Sequence, residues 1–316
     1  MQKLIECVPN FSEGRDLNII RQITDAIESV EGISLLDVDP GASTNRTVVT
    51  FVGSPEAAVE AAFRGIKKAS ELIDMRKHKG AHPRMGATDV CPFVPVANVN
   101  WDEAIACAKQ LGERVAKELN IPVYLYEKAQ ANPERKNLAV IRSGEYEGFA
   151  QKIKEAAWKP DFGQAVFNER TGATVIGARE FLVAYNVNLN TKSVRRATSV
   201  AYDVRENGRV KTDDGTPQGK PVLDANGEAV KIPGMLKHVK AIGWFVEEYG
   251  IAQVSMNLTN SEETPLHAAF DACDVSATER GLRVTGSEIV GLLPKKCLLD
   301  AGKYFLKKQR WSIVQI

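Results

Sequence analysis

The segment HKGAHPRMGATDVCP, residues 78–92, lies between a stretch with helical periodicity and a stretch with strand character. Gly80, Pro83 and Gly86 fall within seven residues of this segment. Glycine and proline are the least favourable residues in a helix interior, so the segment is predicted to be a shaped loop. Loops held by a rigid scaffold often carry binding and catalytic side chains, which makes this loop the first candidate for a functional site.

Two of the four histidines, His78 and His82, lie four residues apart in this loop, together with Lys79 and Arg84. An imidazole can take or give a proton near neutral pH, because its ordinary pKa is about 6.5. Neighbouring cations favour the neutral, basic form of His82 and attract anions. The loop therefore indicates a general base beside an anionic substrate. The alternative, a surface loop whose His and Arg side chains bond to nearby carbonyls, stays open from these residues alone.

No metal site is predicted in this loop. Histidines four residues apart are ligand-spaced on a helix, but the segment is predicted not to be helical. The nearest thiol, Cys91, follows a further turn-forming stretch.

Outward from the loop, the N-terminal half is predicted to run strand, helix, strand, strand, helix, strand. Apolar residues keep helical spacing over residues 17–30 and again over residues 59–69. The second helix begins at Ser54 and Pro55, an N-cap followed by proline at the first helical position. This order is typical of a ferredoxin-like α+β sheet with helices on one face. Prolines interrupt the strand at residues 90–96, which places that strand at an edge of the sheet.

The second half loosely repeats the pattern, with alternating strands at residues 181–189 and 252–258. The chain is therefore predicted to be an α+β protein of two ferredoxin-like subdomains, residues 1–178 and 179–316, with antiparallel or mixed sheets covered by helices. Residues 205–234 are polar and rich in Gly, Pro and Asp, and we expect a long excursion that is hairpin-like at residues 221–230.

The composition excludes several classes of function. Lys+Arg 41 against Asp+Glu 40 gives a net charge of +1, so no general attraction to nucleic acid or to a membrane is implied. The five cysteines are scattered and form no CxxC pair, which is typical of free or buried thiols in a reducing compartment. The N-terminus lacks a signal-type apolar core, and no apolar run approaches about 18 residues. We expect a cytoplasmic protein.

Several long runs, in order along nearly the whole chain, resemble the glutamate formiminotransferase family. They are ECVPNFSEG (6–14), LLDVDPGASTNRTVVTFVG (35–53), LIDMRKHKGAHPRMGATDVCPFVPV (72–96), PVYLYE (122–127), PDFG (160–163), GATVIGAREFLVAYNVNL (172–189) and AIGWFVEEYGIAQVSMNLTN (241–260). The resemblance implies a transferase that moves the formimino group from N-formimino-L-glutamate to N5 of tetrahydrofolate, in histidine degradation. Tetrahydrofolate would be a co-substrate, and no metal is implied.

The resemblance also implies site residues. The histidine of the HPRMG motif is the family's catalytic acid/base, which here is His82. The family's folate-binding segment runs from the glycine of PDFG to the glycine before ATV. Here it comprises Gly163, Gln164, Ala165, Val166, Phe167, Asn168, Glu169, Arg170, Thr171 and Gly172. From the residues alone, Phe167 and Asn168 between bounding glycines could cradle a planar ring, and a plain domain linker would look the same.

Two further hypotheses about the function stay open. The same base and pockets would serve formyl transfer between 5-formyltetrahydrofolate and glutamate, and a non-catalytic folate-binding protein is the alternative outside enzymes. The resemblance further implies a homodimer. Bifunctional members of the family continue into a cyclodeaminase domain, so a separate cyclodeaminase is an expected partner for a chain that ends at Ile316.

Other polar residues allow weaker interpretations. Asp39 follows a predicted strand and could bind a protonated nitrogen or simply bond turn amides, while Asn45 and Arg46 could hold a carboxylate. His238 and His267 are expected to be a solvated residue and a helix-capping or packing residue, respectively.

Overall fold

A computed structural model describes residues 2–80, 82–216 and 218–309 of the chain. The chain divides into two compact units, Met1–Glu180 and Phe181–Ile316, which we call unit 1 and unit 2. Each unit combines a β-sheet with α-helices, and the α+β class predicted from the sequence is confirmed. Within the described residues, no helix is both long enough and apolar enough to cross a membrane.

Unit 1 is built on a seven-stranded sheet. Its strands are β1 (Leu4–Cys7), β2 (Asn10–Phe11), β3 (Ser34–Gly41), β4 (Arg46–Gly53), β5 (Thr88–Ala97), β6 (Val123–Glu127) and β7 (Thr174–Ala178). Its α-helices are α1 (Leu17–Glu28), α2 (Pro55–Leu72), α3 (Trp101–Leu119), α4 (Leu138–Ile141) and α5 (Glu145–Lys152).

The sheet of unit 1 contains a ferredoxin-like core with an extension. Strands β3, β4, β1 and β5 lie side by side and antiparallel, and β2 continues the line of β1 between β4 and β5. This is the predicted order of strands around the two crossover helices α1 and α2. Beyond β5 the sheet continues in parallel with β7 and then β6, so the complete sheet is mixed.

The prediction that the proline-containing strand lies at an edge was wrong. Strand β5 is the edge strand of the four-stranded core, but β7 pairs with it in parallel and covers that edge. The missing N–H of Pro92 is tolerated where β1 gives way to β2, and the Pro92 carbonyl still accepts a hydrogen bond from the Val8 N–H at 3.2 Å. Strand β7 comes from about 80 residues further along the chain. The prolines of β5 indicate how well that strand can pair, but they cannot show whether a strand so distant in sequence lies beside it.

Helices α2 and α3 begin at side-chain caps, and the cap of α2 is the predicted one. The Ser54 side chain accepts a hydrogen bond from the Ala57 N–H at the start of α2, directly before Pro55. Helix α3 starts with a complete capping box formed by Asn100 and Glu103. The apolar faces of α1, α2 and α3 pack into one core with the sheet, so the sheet is a fixed platform for the loops at its ends.

Unit 2 contains an antiparallel four-stranded sheet in the order β11-β12-β8-β13 and a small two-stranded sheet of β9 and β10. Its strands are β8 (Val183–Leu189), β9 (Arg209–Val210), β10 (Lys231–Ile232), β11 (Val239–Val246), β12 (Ile251–Leu258) and β13 (Val284–Val290). Its helices are α6 (Val194–Val204), α7 (Leu266–Glu279) and α8 (Lys295–Lys308). The strand and helix order again matches a ferredoxin-like arrangement.

The excursion at residues 205–234 leaves this arrangement as expected. Strands β9 and β10 pair at its base, and an isolated bridge joins Leu223 to Ala229 across a tight turn. The predicted hairpin character of residues 221–230 is therefore confirmed, and its backbone amides are paired locally through the Val230 N–H and the Val222 carbonyl at 2.8 Å.

Candidate active site

We call the segment between α2 and β5 the His82 loop. Its described residues, 73–80 and 82–87, form no helix or strand, as its glycines and proline predicted. It is pressed against the turn between β3 and β4: a Cβ atom at Gly80 would lie 2.2 Å from the carbonyl oxygen of Thr44. Glycine is needed there because any side chain would push the two segments apart. The side-chain amide of Asn45 also donates to the Lys79 carbonyl at 3.0 Å, which fixes the loop to the start of β4.

The ring of His82 is partly exposed and has a defined tautomer. Its Nδ1 lies 2.7 Å from the carbonyl oxygen of Pro83. A carbonyl oxygen can only accept, so the Nδ1–H donates and the lone pair of the neutral ring is on Nε2. The atom that can take a proton from a substrate is therefore Nε2.

Three charged side chains, those of Arg46, Arg142 and Asp89, act electrostatically on this ring. Arg46 at the start of β4 and Arg142 after α4 both donate to Oδ2 of Asp89, which lies in β5 and is completely buried. The other carboxylate oxygen, Oδ1, accepts the Met85 N–H at 2.9 Å. Arg46 also donates through Nε to the side chain of Asn10 at 3.1 Å. These contacts connect four separate segments of unit 1.

The charges of this cluster act on the histidine. Burial lowers the pKa of His82, and the neighbouring Arg46 and Arg142 guanidiniums lower it further, to about 3, against the opposing effect of Asp89. The prediction that flanking cations hold this ring in its neutral form agrees with the direction of the shift. The cations responsible are Arg46 and Arg142 rather than the sequence neighbours Lys79 and Arg84.

His78 has a different environment from His82. It is buried, its Nδ1 accepts from Arg84 Nε at 3.2 Å, and its Nε2 lies 2.8 Å from the Asn45 carbonyl oxygen. Both ring nitrogens are thus used within the protein. Burial and the Arg84 charge hold the pKa of His78 below its usual range, so the ring is a neutral structural link between the loop and β4.

From the sequence, Arg84 was expected to attract a substrate anion, but in the structure it is paired with two carboxylates of the protein. The buried Arg84 guanidinium binds both oxygens of Glu147, at 2.6 and 2.8 Å, and one oxygen of Glu145 at 3.0 Å. Its charge is already neutralised by these carboxylates. A cavity of about 470 Å³ lies beside this group, lined by Lys79, Gly80, Arg84, Gly144, Glu145 and Glu147.

The predicted folate segment, Gly163–Gly172, is joined to the end of the His82 loop. Gly86 and Gly172 form an antiparallel bridge, and the Ala87 N–H donates to the Thr171 carbonyl at 2.8 Å. Residues 163–166 at its other end are exposed. The ring of Phe167 packs against Tyr146 and Phe149, with centroids 5.4 and 5.8 Å apart, and anchors the segment in the core.

Gly172 fixes this junction, so we expect Gly172→Ala to destabilise unit 1. Its φ is +66°, and a Cβ would lie 2.0 Å from the carbonyl oxygen of Met85. The strained backbone alone costs about 1–3 kcal/mol, and the overlap adds to this cost. Urea unfolding followed by circular dichroism measures the loss. Gly148→Ala is the matched control: Gly148 lies in α5 with open space around it and should be neutral or gain up to about 1 kcal/mol.

Among the described residues, no three His, Cys, Asp or Glu side chains are grouped so that they could hold a metal ion. The five cysteines are buried free thiols, as their spacing predicted. His238 is partly exposed and pairs with Glu263 at 3.0 Å. His267 stacks on Tyr304 with ring centroids 4.3 Å apart, in agreement with the predicted packing role.

Asp89 and Arg142 were not predicted from the sequence as parts of the site. A signal for Asp89 was present, since a single carboxylate directly before the apolar stretch predicted as a strand, residues 90–96, must be paired when it is buried. Arg142 follows Asp89 by 53 residues in a polar stretch and gave no comparable signal.

Family models of known proteins match almost the whole chain. Residues 4–179 match the formiminotransferase domain, N-terminal subdomain, and residues 184–316 match the formiminotransferase domain. The subdomain boundary at residues 178 and 179 stays a prediction of the sequence.

Curated relatives of two kinds are similar to the chain. A formimidoyltransferase-cyclodeaminase of Dictyostelium discoideum is 51% identical over 99% of this chain and 55% of its own length. The chain thus spans about half the length of the bifunctional relatives it matches. Glutamate formimidoyltransferases of Streptococcus pyogenes and Thermoplasma acidophilum are 42% and 43% identical, over 97% and 96% of this chain and over 94% and 92% of their own lengths.

Proposed function

Because the chain belongs to the formiminotransferase family, we propose that it is a glutamate formimidoyltransferase. It would transfer the formimino group from N-formimino-L-glutamate to N5 of tetrahydrofolate, giving 5-formiminotetrahydrofolate and L-glutamate. The observation that carries this proposal is the similarity to two proteins named glutamate formimidoyltransferase, over more than nine-tenths of each of them.

His82 is the proton carrier in this proposal. When N5 attacks the formimino carbon, the new N5–C bond makes N5 a cation that must lose its proton. The lone pair on Nε2 takes this proton, and the resulting imidazolium gives it to the glutamate nitrogen as the C–N bond to glutamate breaks. The Nδ1–H bond to the Pro83 carbonyl supports this role, because it holds the ring in the tautomer with a free Nε2.

The lowered pKa of His82 is consistent with the second of these two proton transfers, from the imidazolium to the glutamate nitrogen. A weakly basic Nε2 can still accept the acidic proton of a cationic N5, and once protonated it is a strong acid toward the leaving nitrogen. The neutral amine of tetrahydrofolate would not be deprotonated before attack.

The segment Gly163–Gly172 is proposed to bind the folate co-substrate. Its direct hydrogen bonding to the end of the His82 loop supports this role, because a ligand on the segment would be held beside the loop that carries the base. Holding two substrates together can contribute a large part of the rate enhancement. The exposed residues Gln164, Ala165 and Val166 would make the first contacts, since Phe167 is anchored in the core.

An assay of the purified protein tests the proposal. Tetrahydrofolate is supplied with N-formimino-L-glutamate in one reaction, and 5-formyltetrahydrofolate is supplied with L-glutamate in another. Formation of 5-formiminotetrahydrofolate at the higher kcat/KM supports the proposal. Faster formyl transfer would replace it with the formyl reaction, and folate binding without either reaction would identify a non-catalytic folate-binding protein.

We also propose a cytoplasmic homodimer, a state implied by the family resemblance. Sedimentation equilibrium at micromolar concentration is expected to give twice the chain mass of 34.6 kDa. A mass of one chain under those conditions would contradict it. By the names of the bifunctional relatives, a cyclodeaminase is the proposed partner that takes the product.

A further inference from the structure

Two arginines share one carboxylate, and all three side chains act electrostatically on His82. Arg46 and Arg142 both donate to Oδ2 of Asp89, and the opposite oxygen is occupied by a backbone N–H. The side chains of Arg46 and Arg142 are only 9% and 12% exposed, and Asp89 is fully buried. Two positive charges against one negative charge leave a surplus of one positive charge in a poorly solvated place.

In the part of the chain that the structure describes, Asp89 is the one carboxylate paired with Arg46 or Arg142. Glu145 and Glu147 are the carboxylates nearest in sequence to Arg142, and both are bound to Arg84. The charged groups that act most strongly on His82 are Arg46, Arg142 and Asp89 themselves. Two desolvated guanidiniums with one carboxylate are stabilised by a second anion, since buried charges are normally paired.

Arg142 also has an unused hydrogen-bond donor. Its Nε atom is buried and has no hydrogen-bond partner among the described residues. Leaving a buried donor unpaired is unfavourable, and a guanidinium is well suited to bind a carboxylate through two parallel N–H groups. A small movement of this side chain toward a ligand carboxylate would give the donor a partner.

We propose that Arg46 and Arg142 hold the α-carboxylate of the formiminoglutamate donor beside His82. This inference rests on the proposed function, because its ligand is the donor of that reaction. The α-carboxylate is attached to the carbon that bears the reacting nitrogen, so fixing it near His82 brings that nitrogen to Nε2. The carboxylates of folate are separated from N5 by the aminobenzoyl group, so they cannot occupy this place while N5 reacts.

Carboxylate binding would also change the base. The bound anion cancels the surplus positive charge, and an added negative charge favours the protonated form of a nearby imidazole. His82 would therefore be a stronger base with the donor in place than in the free protein. Burial, the largest cause of its low pKa, would remain, so the imidazolium would still be an acid toward the leaving nitrogen. The same interaction, between the donor carboxylate and the two arginines, would both bind the donor and raise the basicity of His82.

Kinetics of Arg142→Met test the recognition step. We expect the KM for formiminoglutamate to rise about 10- to 100-fold, as for the loss of a charge-assisted pair, with the KM for tetrahydrofolate unchanged. Arg142→Lys should recover part of the loss. Arg135→Met is the matched control: Arg135 also pairs with a carboxylate, that of Asp161 at 2.8 Å, and also has a buried unpaired Nε. It should leave the KM for the donor unchanged.

Two smaller formimino donors measure the contribution of the carboxylate alone. N-formiminoglycine carries the carboxylate, and N-methylformamidine lacks it but offers the same formimino group. The native protein should prefer the first, and this preference should approach one in Arg142→Met. The same preference in both proteins, or an equal rise in both substrate KM values, would overturn the proposal.

Binding of the product gives a readout that needs no turnover. The His82 ring is followed by NMR over a pH titration with L-glutamate or with γ-aminobutyrate, which lacks only the α-carboxylate. L-glutamate alone should shift the titration of His82 upward, and Arg142→Met should abolish the difference. This result without any transfer activity would retain the carboxylate site and refute the proposed function. Equal shifts with both compounds would refute the site.

Discussion

His82→Ala is expected to lower kcat by about 10²–10⁴-fold, the usual contribution of general acid–base catalysis. Its Nε2 is the only ring position left for proton transfer, because Nδ1 is bonded to the Pro83 carbonyl. Affinity for tetrahydrofolate should remain nearly unchanged, since the proposed folate segment keeps its own hydrogen bonds to Ala87 and Gly86. Steady-state kinetics and folate titration of the purified variant separate the two effects.

His78→Ala is the control for this experiment, because it removes the other histidine of the same loop. It removes the ring that links Arg84 to the Asn45 carbonyl, so we expect lower stability of the folded protein. Turnover of the folded fraction should be largely preserved, because both ring nitrogens of His78 are occupied within the protein. Near-normal turnover in a folded His82→Ala protein would exclude His82 as the proton carrier.

The pH profile should differ from that of an ordinary histidine base. A pKa of about 3 means that His82 in the free protein is neutral at every pH above roughly 4, so kcat/KM should show no acid limb from His82 between about pH 5 and 8. If the donor carboxylate neutralises Arg46 and Arg142, the acid limb of kcat, which reports the substrate complex, should lie at higher pH than that of kcat/KM. Coincident limbs would argue against this neutralisation.

Local patterns predicted the scaffold well because their causes are local. The start of α2 follows from the Ser54 hydroxyl and the fixed φ of Pro55, and both act within one turn of the helix. The alternation of residues 181–189 predicted β8 because one face of that strand must be buried. The shaped loop at His82 followed from Gly80, Pro83 and Gly86 in the same way.

Features that depend on distant partners could not be predicted in this way. The position of β5 inside the sheet is decided by β7, and the charge environment of His82 depends on Arg46, Arg142 and Asp89, of which Arg46 and Arg142 are distant along the chain. Arg84 was given a substrate role from its place beside His82, whereas its charge is neutralised by Glu145 and Glu147 from α5. Charge pairing in a folded protein follows spatial proximity, and a single sequence shows only neighbours along the chain.

Asp89→Asn should produce the largest loss of stability, about 3–5 kcal/mol, because it leaves buried positive charge without its partner. Asparagine has nearly the same size, so the change removes charge rather than volume. The carboxylate of Asp89 is completely buried and serves Arg46, Arg142 and the Met85 N–H. Asp161→Asn is the control, since Asp161 is 20% exposed and water can replace part of its interaction with Arg135.

The acid dependence of unfolding gives a second measurement on the same residue. Burial alone would raise the pKa of Asp89, but Arg142 and Arg46 outweigh burial and bring it to about 2, below the usual 3.8. The unfolded chain therefore binds this proton first as the pH falls, and the stability that Asp89 contributes above about pH 4 is lost toward pH 2. His82 acts in the same direction from about pH 6.5 down to its pKa of about 3, because the unfolded ring is protonated there and the folded ring is not. Asp89→Asn should thus flatten the acid side of the stability curve only below about pH 4.

A double variant shows whether the charge balance is the cause. If unpaired positive charge destabilises Asp89→Asn, adding Arg142→Met should restore part of the lost stability, because one cation is then removed from the site. In the native background Arg142→Met leaves a one-to-one pair of Arg46 and Asp89, so its own cost should be smaller than that of Asp89→Asn. Additive losses in the double variant, measured by urea unfolding at neutral pH, would show that the arginines and Asp89 are not coupled by charge.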